Sequence, residues 1–309
     1  MEFLTPDTPA GVLIAFAACA VVIVLAGVRL SGVADRLADR TGLGEAVVGA
    51  VMLGAVTSLS GLTTSVTAAW NGLPELAVSN AAGGIAGQTF FLAVADLAYR
   101  RANLEHAAAS LENLIQSTVL AGCLALAILG AAAPGYALGP VHPVSPLLVG
   151  FYLLGLRVTR RARANAAWRP VRTDETRIDD LETDESGGAS TARLWAEFAA
   201  LGAVTAAAGF VIGRAGEGAL TLAVGGIIGG NAFDVLFLAA SDAAYTRGSI
   251  YAAIDDRQVF LIALSLLMTT VLAMGLLRRE KHGFARVGFE TVLLIAIYLG
   301  GSAALIAMG

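Results

Sequence analysis

The sequence predicts an all-α polytopic membrane protein made of two homologous multi-helix halves, and three observations carry that prediction. Of 309 residues, 57% are hydrophobic and only 14% charged, whereas a soluble domain carries about a quarter charged residues. Mean hydropathy is +0.74, and several apolar runs are long enough to cross the ~30 Å hydrocarbon core of a bilayer. Finally, one stretch occurs twice: residues 222–247 align without a gap on residues 76–101, at an offset of 146, with 13 of 26 positions identical. The identities include a Gly pair, an Asp, a Tyr and an Arg at matched spacing. Shared apolar composition does not produce such matches, so the stretch is an internal repeat.

The elements follow in order. The opening MEFLTPDTPA lacks the basic region of a signal peptide, so the first apolar run, residues 11–28, is expected to stay as an anchor. It leads to Arg29, Arg36 and Arg40, which argue for the cytoplasmic side. A second span, residues 43–70, holds AVTSLSGLTTS at residues 55–65. Hydroxyls and Gly in mid-span can break a helix and line a cavity, or simply bond the carbonyl one turn back. Residues 71–74 have no basic residue and read as external; the first repeat copy returns to Arg100 and Arg101 inside. A fourth span, residues 108–133, ends in a loop without Lys or Arg, and a fifth, from Pro146 to Leu156, runs toward Arg157, Arg160, Arg161 and Arg163. This places the N-terminus outside the cell membrane.

The acidic, polar residues 163–192 read as a cytoplasmic linker; their spacing is not that of an EF-hand. The chain thus divides into a first membrane repeat of five spans (1–162), the linker, and a second repeat (193–309) of about four spans: residues 194–213, the second repeat copy, residues 259–277 and residues 287–308. The basic segment RREKHGFAR belongs inside. With residues 194–213 crossing once, the copies run parallel and that segment lies outside; with antiparallel copies, residues 194–213 are short, broken or re-entrant. The basic-residue bias favours the antiparallel version.

Within the repeat, Gly226, Gly230, Asp234 and Asp242 share one helix face, as do Asn80, Gly84, Gln88 and Asp96 in the first copy. The Gly pairs, Gly83/Gly84 and Gly229/Gly230, are expected to let helices approach closely, which puts Asp234 on the packed side. An intramembrane carboxylate is costly and points to function; the plainer alternative is a hydrogen bond to a neighbouring helix. Cys19 and Cys123 lie in apolar runs, and His106, His142 and His282 are isolated, so neither a disulfide nor a zinc site is expected.

Residues 43–101 resemble the first α-repeat of the sodium/calcium exchanger (calcium/cation antiporter) superfamily. Thr57, Ser58 and Leu59 match the centre of its first motif; Gly225, Gly229, Asn231 and Asp234 fall on motif positions of the second repeat. The resemblance implies two five-helix halves of inverted topology with an ion site at mid-membrane. The departures fall on the chemistry. The first motif's Pro and Glu are Ser60 and Gly61, the best second-half match, AVTAAAG at residues 203–209, has Gly209 in the Glu position, and the closing pair is Gln88 and Asp234. Calcium favours several carboxylates. The expected reading is therefore a secondary cation antiporter for Na⁺, K⁺ or H⁺ rather than Ca²⁺. Asp234 would be its charged ligand, with Gln88, Thr57, Ser58, Thr205, Asn231 and Asn80 supplying neutral oxygens. The alternative is a transport-incompetent scaffold or regulatory relative. No nucleophile–base pair suggests an enzyme. The expected partners are inorganic cations and the lipid bilayer, with no cofactor and no nucleic acid, and nothing in the sequence sets an oligomeric state.

Overall fold

The computed structural model describes residues 58–98, 111–136, 139–164, 190–215, 227–278 and 288–308, with scattered helical positions between residues 18 and 40. These form α1 (Leu59–Trp70), α2 (Pro74–Ala98), α3 (Leu111–Ala132), α4 (Val144–Ala164), α5 (Thr191–Ala215), α6 (Ile227–Asp234), α7 (Leu236–Ala244), α8 (Asp256–Arg278) and α9 (Phe289–Ala307). There is no strand among the described residues. Within α2, Pro74–Val94 is long and apolar enough to cross a membrane, and so are α3, α8 and α9. The protein is an all-helical integral membrane protein.

Local chemistry sets the boundaries. Gly72, at φ +80°, closes the turn between α1 and α2 in a conformation that L side chains disfavour. Pro74 then opens α2, where its missing N–H costs nothing, and Glu75 follows in the first turn, favourable to the helix dipole. Helix α8 starts on Asp256 and ends on Arg278, the same complementarity at both ends.

Helix α2 is the hub, packed by α1, α6, α7, α8 and α9. Ala77, Ala81, Ala82 and Ile85 are buried there, and small side chains let this many helices reach one axis. Elsewhere single glycines set the spacing: a Cβ on Gly155 of α4 would stand 2.5 Å from Val119 of α3, and one on Gly301 of α9 2.6 Å from Leu264 of α8.

The two repeat copies run antiparallel. The Arg247 guanidinium, just past the end of α7, lies over Gly72 at the start of α2. Asp242 near the end of α7 bonds His142 and Ser145 at the start of α4, whereas its repeat equivalent Asp96 bonds Thr291 at the start of α9. Matching carboxylates therefore sit at opposite ends of the bundle. Arg278 at the end of α8 and the Arg-rich end of α4 consequently share one end, as the basic-residue rule requires of antiparallel copies.

Two expectations are corrected. Helix α5 is one unbroken 25-residue helix, about 37 Å long at 1.5 Å per residue, where residues 194–213 were expected to be short, broken or re-entrant; it packs along α1. In the hydroxyl cluster of the second span, residues 59–65 are regular helix, with Thr63 and Thr64 donating to the Leu59 and Ser60 carbonyls one turn back. A local irregularity falls in the second repeat copy instead, at Val235 between α6 and α7, where the dihedrals stay helical. The linker lies outside the described residues except at its ends, as do Cys19, His106 and His282.

Candidate ion site

Asp234 closes α6, immediately before that irregularity. Val235 takes φ −61° and ψ −24°, and the Leu238 N–H bonds the Val235 carbonyl three residues back at 3.3 Å, a tightening of the 3₁₀ kind. The Asp234 side chain is buried, at 2% exposure. Its Oδ2 accepts from Gln88 Nε2 of α2 at 2.8 Å, and Ser58 at the head of α1 lies beside the carboxylate. Because a carboxylate only accepts, the amide must present its NH₂, which turns Gln88 Oε1 away.

Gln88 and Asp234 occupy equivalent positions of the two copies, 146 residues apart. A second contact at that offset lies one turn away, Asn231 Nδ2 to the Ile85 carbonyl at 3.4 Å, and the same amide donates to Thr89 Oγ1 at 3.0 Å. Helices related by a two-fold axis touch at equivalent residues where they cross the axis, so the repeat symmetry passes through this cluster.

Three acceptors in the cluster, Asp234 Oδ1, Gln88 Oε1 and Asn231 Oδ1, are buried without a donor. Each such acceptor costs about 1–3 kcal/mol. All three are oxygens, the arrangement that a bound cation would satisfy. No group of three or more His, Cys, Asp or Glu side chains that could hold a metal ion occurs among the described residues.

Residues 11–156 match the family model described as sodium/calcium exchanger protein. That stretch, just under half of the chain, is similar to the sodium/calcium exchanger family. That family consists of cation transporters rather than enzymes, and its substrates are inorganic cations. No curated protein and no solved structure matches the chain.

The structure brings together Asp234, Gln88, Asn231 and Ser58. Asn80 stands apart in the α1–α2 contact, where its Nδ2 donates to the Gly61 carbonyl at 3.0 Å and Ser65 Oγ at 2.8 Å. Thr57 and Gly225 lie outside the described residues, as does the side chain of Thr205, which is placed on α5. Among the described residues, nothing lies within 4 Å of a Cβ on Gly84, and Gly83 meets only Leu261, at 3.6 Å, so no close packing of the first Gly pair is seen there. Gly230 is buried; the surroundings of Gly229 lie outside the described residues.

Two residues escaped the sequence reading. Thr89 receives Asn231, and its position beside Gln88 was the available signal. Phe237 lies against Gly61, with its ring 2.8 Å from where a Cβ would be. An aromatic ring therefore occupies the space that a side chain at the family's glutamate position would enter.

Proposed function

We propose that the protein is a secondary cation antiporter whose ion site is the buried cluster of Asp234, Gln88, Asn231 and Ser58, and that it takes monovalent cations and protons in preference to calcium. The observation that carries this reading is the set of three donorless oxygens around one carboxylate, at the crossing of the two repeat copies. One carboxylate neutralises one unit of charge, and amide and hydroxyl oxygens complete a monovalent shell. Calcium wants six to eight oxygens and usually several carboxylates. A monovalent cation and a proton compete for the same carboxylate, so exchange follows from exclusive occupancy. The Phe237 ring over Gly61 supports the absence of a second acid.

That ring is also the observation favouring the second reading, a relative that has lost transport and serves as a membrane scaffold. Ligand-induced stabilisation separates the two, because an ion that binds only the folded state raises its stability. In detergent at constant ionic strength, Na⁺ or K⁺ is expected to raise the melting temperature of the wild type and not of Asp234→Asn. No shift with either ion would support the scaffold. The proposed plasma-membrane setting, with the N-terminus and the Gly72 turn outside and residues 163–192 and 281–286 inside, rests on the Arg and Lys distribution. Impermeant thiol labelling of Ser186→Cys and His282→Cys from the cytoplasmic face alone is the expected result.

A further inference from the structure

A second polar feature lies on the other flank of α6. Between α3, α4 and α6 is a cavity of about 10 Å³, lined by Gln116, Val119, Tyr152, Gly155, Thr159 and Ala232, among others. That volume holds one water-sized guest. Gln116 is 94% buried by its 6% exposure, and its Oε1 has no donor. The Thr159 hydroxyl donates to the Gly155 carbonyl at 3.0 Å, which leaves its lone pairs free to coordinate. The Tyr152 ring packs edge-on against Phe233, at 6.3 Å, the residue next to Asp234 in the chain. The cavity belongs to the half of the bundle where α3 begins and α4 ends, so it extends from the level of Asp234 toward the Arg-rich end of α4.

The lining supplies amide and hydroxyl oxygens and no carboxylate. A neutral oxygen set of this kind cannot compensate a divalent ion, but it can replace part of the water shell of a monovalent one. Intramembrane polar groups facing a cavity mark ion pathways. We infer that this cavity is a second, neutral station for a monovalent cation, on the route between the Arg-rich end of the bundle and Asp234, with Gln116 Oε1 as its principal ligand. The inference rests on the exchanger reading of the Asp234 cluster and adds to it a path and the residues that line it.

The test is thallium(I), a monovalent ion of roughly potassium size that scatters X-rays anomalously. Wild-type crystals soaked in a thallium(I) salt are expected to show two anomalous peaks, one against Asp234 and one in the cavity against Gln116. Gln116→Leu and Thr159→Val should each weaken the cavity peak and leave the Asp234 peak intact. In proteoliposomes, Gln116→Leu should lower the maximal thallium flux about tenfold with little change in half-saturating concentration, the pattern of a lost transit step. A peak at Asp234 with none in the cavity, or a cavity peak indifferent to both substitutions, overturns the station and leaves the Asp234 site standing. Loss of peaks at both places overturns both.

Discussion

The two copies of the repeat share half their residues over 26 positions, yet they have become different devices. The first is one continuous helix, α2, which is the hub of the bundle. The second tightens locally at Val235, directly after its acid, while keeping helical dihedrals. The two carboxylates of the second copy differ just as sharply. Asp242 is fully buried and accepts four hydrogen bonds, from the His142 and Ile250 backbone N–H groups and the Ser145 and Ser249 hydroxyls, at 2.7–3.1 Å. Asp234 is as deeply buried but keeps one oxygen without a donor. A satisfied buried carboxylate is a structural clasp; an under-satisfied one, faced by other donorless oxygens, is a place for a cation. The lesson is that burial and residue type alone do not identify an ion ligand, whereas the inventory of donors around it does.

The most severe consequence should follow from exchanging the roles of these two acids. Asp242→Ala removes the acceptor of four buried donors and is expected to destabilise the fold by roughly 3–5 kcal/mol, the range for breaking a buried charged network, read as a large drop in melting temperature or yield. Asp234→Asn, by contrast, should leave the melting temperature in the absence of added ions nearly unchanged and remove ion coupling. Equal thermal damage from both substitutions would erase the distinction between clasp and site.

A second change sharpens the comparison at its axis. Gln88→Asp places a carboxylate on each copy at the same position. Two facing acids disfavour monovalent occupancy and favour a divalent ion, so calcium should now stabilise the protein and inhibit monovalent flux. Indifference to calcium would mean that Gln88 does not face the ion.

A smaller effect is expected at Gly61. Adding a methyl group there drives it into the Phe237 ring at 2.8 Å, and overpacking of this kind costs about 1–3 kcal/mol. Gly61→Ala with Phe237→Ala should recover part of that loss in a double-mutant cycle; additivity would show that the ring does not hold the space. The smallest effect belongs to Gly84→Ala. With nothing among the described residues within 4 Å of the new methyl, the change should be neutral or stabilise α2 by up to about 1 kcal/mol through helix propensity.

Much of this was legible in the sequence because it is carried by local pattern. The repeat offset of 146 made Gln88 and Asp234 counterparts in the two copies, and the structure brings the two into contact. The antiparallel arrangement was readable from where Arg and Lys fall. Helix continuity was not, because the crossing parity that suggested a short, broken or re-entrant segment at residues 194–213 says nothing of local helix continuity, and the irregularity at Val235 carries neither Gly nor Pro. The Gly pair misled for a related reason: small residues permit close approach, but only the neighbour's position decides whether they receive it, and at Gly84 no neighbour comes among the described residues. Phe237 could not be tied to Gly61 from sequence, since 176 positions separate them and only the packing of α7 on α1 brings them together.

The central claim is that a single carboxylate at the crossing of the two copies couples one cation to another. Purified protein in proteoliposomes, with an outward Na⁺ or K⁺ gradient and a pH-sensitive dye inside, measures this directly. The account predicts cation-driven proton movement by the wild type, falling as external protons compete for Asp234, absent from Asp234→Asn, and not reproduced by a calcium gradient. Robust calcium flux by the wild type, or full proton movement by Asp234→Asn, would contradict it.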